Sequence, residues 1–400
     1  MIDWNILVSQ IATVAFDIVY FGAIISTIVV IILDNRNPVK TMAWILILLF
    51  LPIVGLVFYF FFGRSQRRER IIGQKSYDRL LKKPMAEYMA QDCSDVPEEY
   101  ARLIQLFQHT NQAFPFEGNR IAVYTEGYTK LQSLLRELQK AKQHIHIEYY
   151  IFEDDAIGRL VRDVLIEKAS QGVEVRVIYD DVGCWHVPNR FFEEMRNAGI
   201  EVRSFLKVRF PLFTSRVNYR NHRKIVVIDG RIGFVGGMNL AERYMRGFSW
   251  GIWRDTHILI EGKAVHGLQT AFLLDWYFVD RTLITASRYF PKIESCGSSL
   301  VQVVTSEPIG PWKEIMQGLT MAINGAKKYF YMQTPYFLPT EQVLAAMQTA
   351  ALAGVDVRLM LPERADNRIT HLGSHSYLAD VMQAGVKVYF YKKGFLHSKL

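Results

Sequence analysis

Two residues apart in Asn221-His222-Arg223-Lys224 stand an imidazole and an ammonium, followed by the apolar run Ile225 to Ile228, Asp229-Gly230 and then Gly236-Gly237-Met238-Asn239. If His222 to Ile228 is a strand, His222 and Lys224 face the same way, because side chains alternate with period two. Such a pair suits a phosphate diester. The ammonium binds a phosphoryl oxygen while the imidazole attacks phosphorus or exchanges a proton with the leaving oxygen, and neither job requires a metal or cofactor. A second copy, His397-Ser398-Lys399, stands just before Leu400. An ordinary half-buried strand accounts for one such pair and not for two in corresponding places.

The elements that must position these residues also repeat. Ala141-Lys142 and the following Ile-His-Ile-Glu-Tyr-Tyr-Ile-Phe return at Ala326-Lys327 with Tyr-Phe-Tyr-Met-Gln-Thr-Pro-Tyr-Phe; Gly172-Val-Glu-Val returns at Gly354-Val-Asp-Val; Ala198-Gly199-Ile-Glu-Val returns at Ala384-Gly385-Val-Lys-Val. Each of the last two pairs is a glycine helix stop followed by a β-branched strand. With helical spacing of apolar residues between them, at Gly158 to Ala169 and Gln342 to Ala353, the pattern predicts two α/β halves with mainly parallel sheets.

Upstream, Ile11 to Leu33 is apolar apart from Asp17 and small hydroxyl residues, and Met42 to Phe62 carries no charge. Separated by Asp34-Asn35-Arg36-Asn37-Pro38, the two runs predict a transmembrane helical hairpin. No basic stretch precedes Ile11, which disfavours a cleaved signal. Arg64, Arg67, Arg68 and Arg70 follow the second run, so the positive-inside bias puts the globular part in the cytoplasm and the hairpin, multi-pass, in the cell's inner (plasma) membrane. The net charge of +8 suits anionic lipid headgroups or nucleic acid, and three cysteines without a pairing pattern fit reduced thiols.

Two HxK motifs in tandem α/β repeats behind an apolar hairpin resemble a bacterial cardiolipin synthase of the phospholipase D superfamily over nearly the whole chain. Asn37-Pro38, Ala43-Trp44, Pro52, Gly55, Tyr59 and Phe62-Gly63 match the N-terminal region of that family, as do Trp253-Arg254-Asp255-Thr256-His257 and Asp275-Trp276 downstream. The resemblance implies a pseudo-dimer in which both motifs meet at one site, without metal or cofactor. Its catalytic set would be His222, Lys224, Asp229, His397 and Lys399. His222 would become a transient phosphatidyl-histidine while His397 acts as acid and base; Asp255 would orient the attacking imidazole, and Asn239 would complete the phosphate cradle. Asp229, on the side away from His222, is expected to fix the local turn.

The domain reading is a hairpin at 1–63, a linker at 64–117, a first phospholipase D-like domain at 118–290 and a second at 291–400, incomplete at its C-terminal end. The aspartate that follows the second motif would lie beyond Leu400, so this chain is expected to be a fragment, inactive alone. The substrate implied by the resemblance is phosphatidylglycerol in a membrane with anionic lipids, giving cardiolipin and glycerol. Nucleic acid is disfavoured by the apolar spans, and no oligomeric state is implied. A phospholipase D using water, a phosphatidylserine-synthase-like transferase and an inactive membrane-anchored protein are the rival readings.

Smaller features have alternatives of their own. His144, His146 and Glu148 alternate on one strand face like metal ligands but recur nowhere in the second half, and Glu148, Tyr150 and Tyr336 could floor the site. His371 and His375 stand one helical turn apart. Phe205 to Phe213 reads as an amphipathic loop, either buried or dipping into headgroups.

Overall fold

Long uncharged runs have no conformation compatible with a hydrocarbon layer except the helix, which satisfies its own backbone groups. In the computed structural model, which describes residues 4–34, 38–59, 63, 96–207, 220–307 and 312–400, the first run is helix α1 (Trp4–Asp34). The second is α2 (Pro38–Phe50) and α3 (Pro52–Phe58). The break at Leu51 is placed by Pro52, which has no N–H to give and sits at the first helical position of α3. Among the described residues only Gln10–Leu33 is a helix long and apolar enough to cross a membrane. The described part of the expected second span is two shorter helices. Ile31, Leu48 and Tyr59 form the small core where the three helices meet.

The chain divides into two units, Met1–Arg70 with Val208–Tyr219, and Ile71–Lys207 with Arg220–Leu400. The larger unit begins with α4 (Glu98–Asn111), β1 (Pro115–Tyr124), α5 (Gly127–Lys140), β2 (His144–Tyr149), α6 (Ala156–Ser170), β3 (Glu174–Asp180), α7 (Asn189–Asn197) and β4 (Glu201–Phe205). Then come β5 (Lys224–Ile228), β6 (Ile232–Gly236), α8 (Arg243–Arg246), β7 (Ile252–Arg254), β8 (His257–Glu261), α9 (Val265–Asp280) and β9 (Ser299–Gln302). The second half follows as α10 (Glu314–Gly325), β10 (Tyr329–Gln333), α11 (Glu341–Leu352), β11 (Asp356–Pro362), α12 (Arg368–Ser376), α13 (Leu378–Gln383), β12 (Lys387–Tyr391) and β13 (Gly394–Leu396).

The repeated strands take equivalent places. Gly172 (φ +86°) and Gly354 (φ +91°) both end a helix in the left-handed region and turn the chain into β3 and β11. β2, β3 and β4 are parallel, as are β10, β11 and β12. The first sheet has eight strands in the order β4-β3-β2-β5-β6-β8-β1-β9 and is mixed rather than mainly parallel. The Asp229-Gly230 turn is the cause: so short a link can join β5 to β6 only as an antiparallel hairpin.

Every residue of β2 is buried, because helices cover both faces of the sheet at its centre. Leu134, Leu138, Ile145, Ile147, Val161 and Val177 fill one side. Each contributes roughly 1.5–3 kcal/mol by leaving water. One exception to this apolar interior is Lys130 on α5, which has no exposed surface and donates to the Tyr149 hydroxyl at 2.8 Å. Burial pushes its ammonium down to about 7.

Candidate active site

β5 starts at Lys224, so Asn221 to Arg223 precede the strand that was expected to begin at His222. Asn221 turns its side chain back onto the chain, Oδ1 accepting from Arg223 N at 3.0 Å, and takes these residues out of the ladder. His222 and Lys224 still share a site, because the Lys224 ammonium donates to the His222 carbonyl. Lys224 is buried, opposite Tyr149 in the ladder, with Nζ 5.4 Å from the Tyr150 ring. Burial first, then Lys399, lowers it to about 7.

The His222 ring lies 4.7 Å from the Tyr150 ring and keeps a solvent-facing edge. Desolvation by the surrounding protein, then the charges of Lys224, Lys399 and His397, push it down to about 3. It is a neutral imidazole with a lone pair to offer.

The second motif is stitched to the first half. β13 pairs in parallel with β7, and His397 N donates to Arg254 O at 2.7 Å. The close approach depends on two glycines. A Cβ on Gly251 would stand 2.5 Å from Gly394 Cα, and Gly394 (φ +151°) would drive a Cβ to 2.1 Å from Ile252 O. On its own side the motif is held by Leu400, which exchanges both backbone hydrogen bonds with Gln333 at 2.8 and 3.0 Å. Lys399 Nζ donates to the His397 carbonyl at 2.7 Å and lies 3.1 and 3.2 Å from the two ring nitrogens.

Asp255 belongs to His397. Its Oδ2 accepts from His397 Nδ1 at 2.7 Å while Oδ1 accepts from Thr256 N at 2.7 Å. The expectation that it would orient the attacking His222 is thereby corrected; among the described residues no carboxylate reaches the His222 ring. With Nδ1–H held by Asp255, Nε2 is the nitrogen His397 presents to substrate. A signal for this carboxylate exists in Gly236-Gly237: a Cβ on Gly237 would stand 2.0 Å from Asp255 Oδ1.

Asp229 and Asn239 are both occupied by the fold. Asp229 accepts from the backbone N–H groups of Lys142, Gln143 and His144 at 2.8–2.9 Å, which anchors the start of β2 to the end of β5. Asn239 accepts from Ile151 N at 3.1 Å and donates to the Tyr244 hydroxyl, fastening the loop beneath the site.

Sequence reasoning named Glu148 as a candidate for the site floor and Asp275 by resemblance, but missed Asp180 and the clamp that the three form around His222. Asp180, at the end of β3, accepts from Asn221 N at 3.1 Å and from Val182 N and Gly183 N at 2.9 Å each. The Asn221 amide donates to Glu148 and, at 3.1 Å, to Asp275, while Arg223 pairs with Asp275. Both neighbours of His222 are thus tied to a buried carboxyl pair contributed by β2 and α9. Burial, then the charge of Asp275, pushes the Glu148 carboxyl well above its ordinary range.

His144 and His146 share that face of β2 and are bridged by Gln269, at 3.2 and 2.8 Å. Among the described residues no group of three or more His, Cys, Asp and Glu side chains is placed to hold a metal ion. His371 and His375 meet on α12 with ring centroids 4.0 Å apart and planes tilted by 52°. Phe205 packs against Phe278 at 4.9 Å, whereas the remainder of the supposed amphipathic loop, from residue 208, lies outside the described residues.

Tandem α/β halves whose two histidine–lysine pairs stand near enough to act on one another's charge form an arrangement that known proteins share. A solved structure of phosphatidylserine synthase from Haemophilus influenzae superposes with a TM-score of 0.53 over 74% of this chain and 79% of its own, at 13% identity, a likeness of fold alone. A family described as "Cardiolipin synthase, PLD-like domain" matches residues 134–275 and 319–400, and "Phospholipase_D-nuclease N-terminal" matches 22–64. A cardiolipin synthase of Geobacillus kaustophilus is 41% identical over 96% of this chain and 78% of its own length. The major cardiolipin synthase ClsA of Bacillus subtilis is 36% identical over 98% of this chain and 83% of its own. The chain belongs to the bacterial cardiolipin synthases of the phospholipase D superfamily. Its N-terminal apolar helix and this kinship associate it with membranes.

Proposed function

We propose that this cardiolipin synthase moves a phosphatidyl group from one phosphatidylglycerol to another, with His222 as nucleophile and His397 as acid and base. The observation that carries the assignment is the unlike setting of the two imidazoles in one site. His222, ringed by cations, is held neutral, while His397 meets a buried carboxylate at Nδ1. In the first step His222 forms a bond to phosphorus, and the departing glycerol oxygen leaves with a proton from His397 Nε2. In the second, His397 takes a proton from the hydroxyl of the acceptor lipid, whose oxygen displaces His222 and closes the new diester. Lys224 and Lys399 carry the phosphoryl oxygens through both steps. Asp229 and Asn239 serve by holding the strand and loop on which the motifs stand.

The placement that fits this chemistry is a multi-pass anchor in the cell's inner membrane with the catalytic part in the cytoplasm, supported by the arginines at 64–70. The domain limits that go with it are 1–63, 64–117, 118–290 and 291–400. The full-length protein in phosphatidylglycerol vesicles should form cardiolipin and glycerol in equal amounts, and a denaturing quench held alkaline should leave the phosphorus of the phosphatidyl group on His222. Phosphate on His397 would reverse the two roles, and phosphatidic acid as the product would replace transfer by hydrolysis.

A further inference from the structure

Ile369 and Leu372 on α12 are 80% and 68% exposed, far more than aliphatic side chains of a folded helix normally are. With Gly373 they follow the i, i+3, i+4 spacing of a single helix face. Leu338, 52% exposed, closes the patch, its Cδ2 lying 2.9 Å from where a Cβ on Gly373 would stand. The helix that presents them is firmly seated. Asn367 caps it by accepting from Ile369 N at 2.8 Å, and on its inner side Ser374 Oγ accepts from Phe337 N at 2.9 Å. Arg364 and Arg368, both exposed, flank the apolar residues.

The patch stands beside the chemistry. Asp366, just before the cap, accepts from the Tyr336 hydroxyl at 2.7 Å, and the Tyr336 ring lies 6.3 Å from that of His397. The first half has a counterpart. Trp185, 59% exposed, sits in the turn after β3, and its neighbour Cys184 donates to the Tyr150 carbonyl at 3.6 Å, Tyr150 being the ring against His222. Each histidine is one tyrosine away from a segment that shows apolar surface to its surroundings. Aliphatic residues edged by arginine, and an exposed tryptophan near the other histidine, match the layered chemistry of an anionic bilayer surface: acyl boundary for the first, headgroup phosphates for the second, the interface for the third.

We propose that Ile369, Leu372 and Leu338, with Arg364, Arg368 and Trp185, form a docking rim that seats the mouth of the site on an anionic phospholipid surface. The acyl chains then stay in the bilayer while the phosphodiester reaches the two histidines. This rests on the phosphatidyl-transfer reading, and the test separates the two. The full-length protein is assayed in proteoliposomes of varied phosphatidylglycerol mole fraction and, in parallel, on dihexanoyl phosphatidylglycerol below its micellar concentration.

Ile369→Glu/Leu372→Glu should raise the interfacial KM at least about 10-fold. Its kcat on the monomeric lipid should stay that of the parent protein, which also shows that the variant folds. Arg364→Gln and Arg368→Gln should each raise the interfacial KM about 5-fold, an effect that fades as salt is added. An unchanged interfacial KM overturns the docking rim, as does an equal loss on both substrates. Failure of the parent protein to make cardiolipin from either substrate instead overturns the transfer reading.

Discussion

The two halves of the catalytic unit carry the same motif and support it differently. His222 stands ahead of a strand inside an eight-stranded sheet, and its neighbours are tied to Asp180, Glu148 and Asp275, all within the first half. His397 follows a three-residue strand that pairs with Ile252–Arg254, its ring is held by Asp255, and the next residue, Ser398, meets the Thr256 hydroxyl, so all three partners come from the first half. The first motif is built by its own half; the second is completed by the other. A repeat that began as two like units has thereby become one site in which neither imidazole is interchangeable with the other.

The sharpest way to break that comparison is Asp255→Asn. An amide keeps the shape but favours the wrong tautomer of His397, so kcat should fall about 10²- to 10⁴-fold with little change in KM. On a phosphatidyl ester of p-nitrophenol, whose leaving group needs no proton, the variant should still form the His222 adduct under an alkaline denaturing quench; loss of that adduct would mean that Asp255 serves His222 instead. A smaller loss tests the clamp. Asp275→Asn leaves Arg223 without its counter-charge and lets the Asn221–Arg223 segment shift, for which kcat should fall about 10- to 100-fold. Formation of the His222 adduct, read by rapid quench, should slow in step with it; unaltered adduct formation would show that the clamp does not position His222.

The third test concerns stability and the first half's interior alone. Unfolded, Lys130 keeps its proton to the usual 10.5, and folded it does so only below about 7. Between those values the unfolded chain binds more protons, so stability rises with pH across that window, and below about pH 7 the whole penalty applies. Lys130→Met should therefore stabilise the protein by about 1–4 kcal/mol below pH 7, the gain shrinking towards pH 10. Urea melts at several pH values check this, and a gain independent of pH would mean that Lys130 is not charged at low pH.

Much of this architecture could be read from the chain because it depends on short-range patterns. The HxK spacing, the glycine helix stops at Gly172 and Gly354 and the alternation of β2 are all local. The Asp229-Gly230 turn was equally visible, although its consequence, a mixed sheet, needs the hairpin rule applied to it. Asp255 stood out as a carboxylate but was matched to the histidine nearer in sequence, since only the seam between β7 and β13 brings it to His397. The clamp was invisible for the same reason: α9 must first dock on β2 before Asp275 meets Glu148 and Arg223. In the apolar segment, composition suggested one continuous span, whereas a single residue, Pro52, divides it.

The paired glycines at Gly251 and Gly394 make the seam between β7 and β13 the place where the smallest added side chain does the most damage. Where two backbones approach with no room for a methyl group, a single carbon must part the strands. Gly251→Ala should therefore draw His397 away from Asp255 and silence the enzyme without altering any residue that meets substrate.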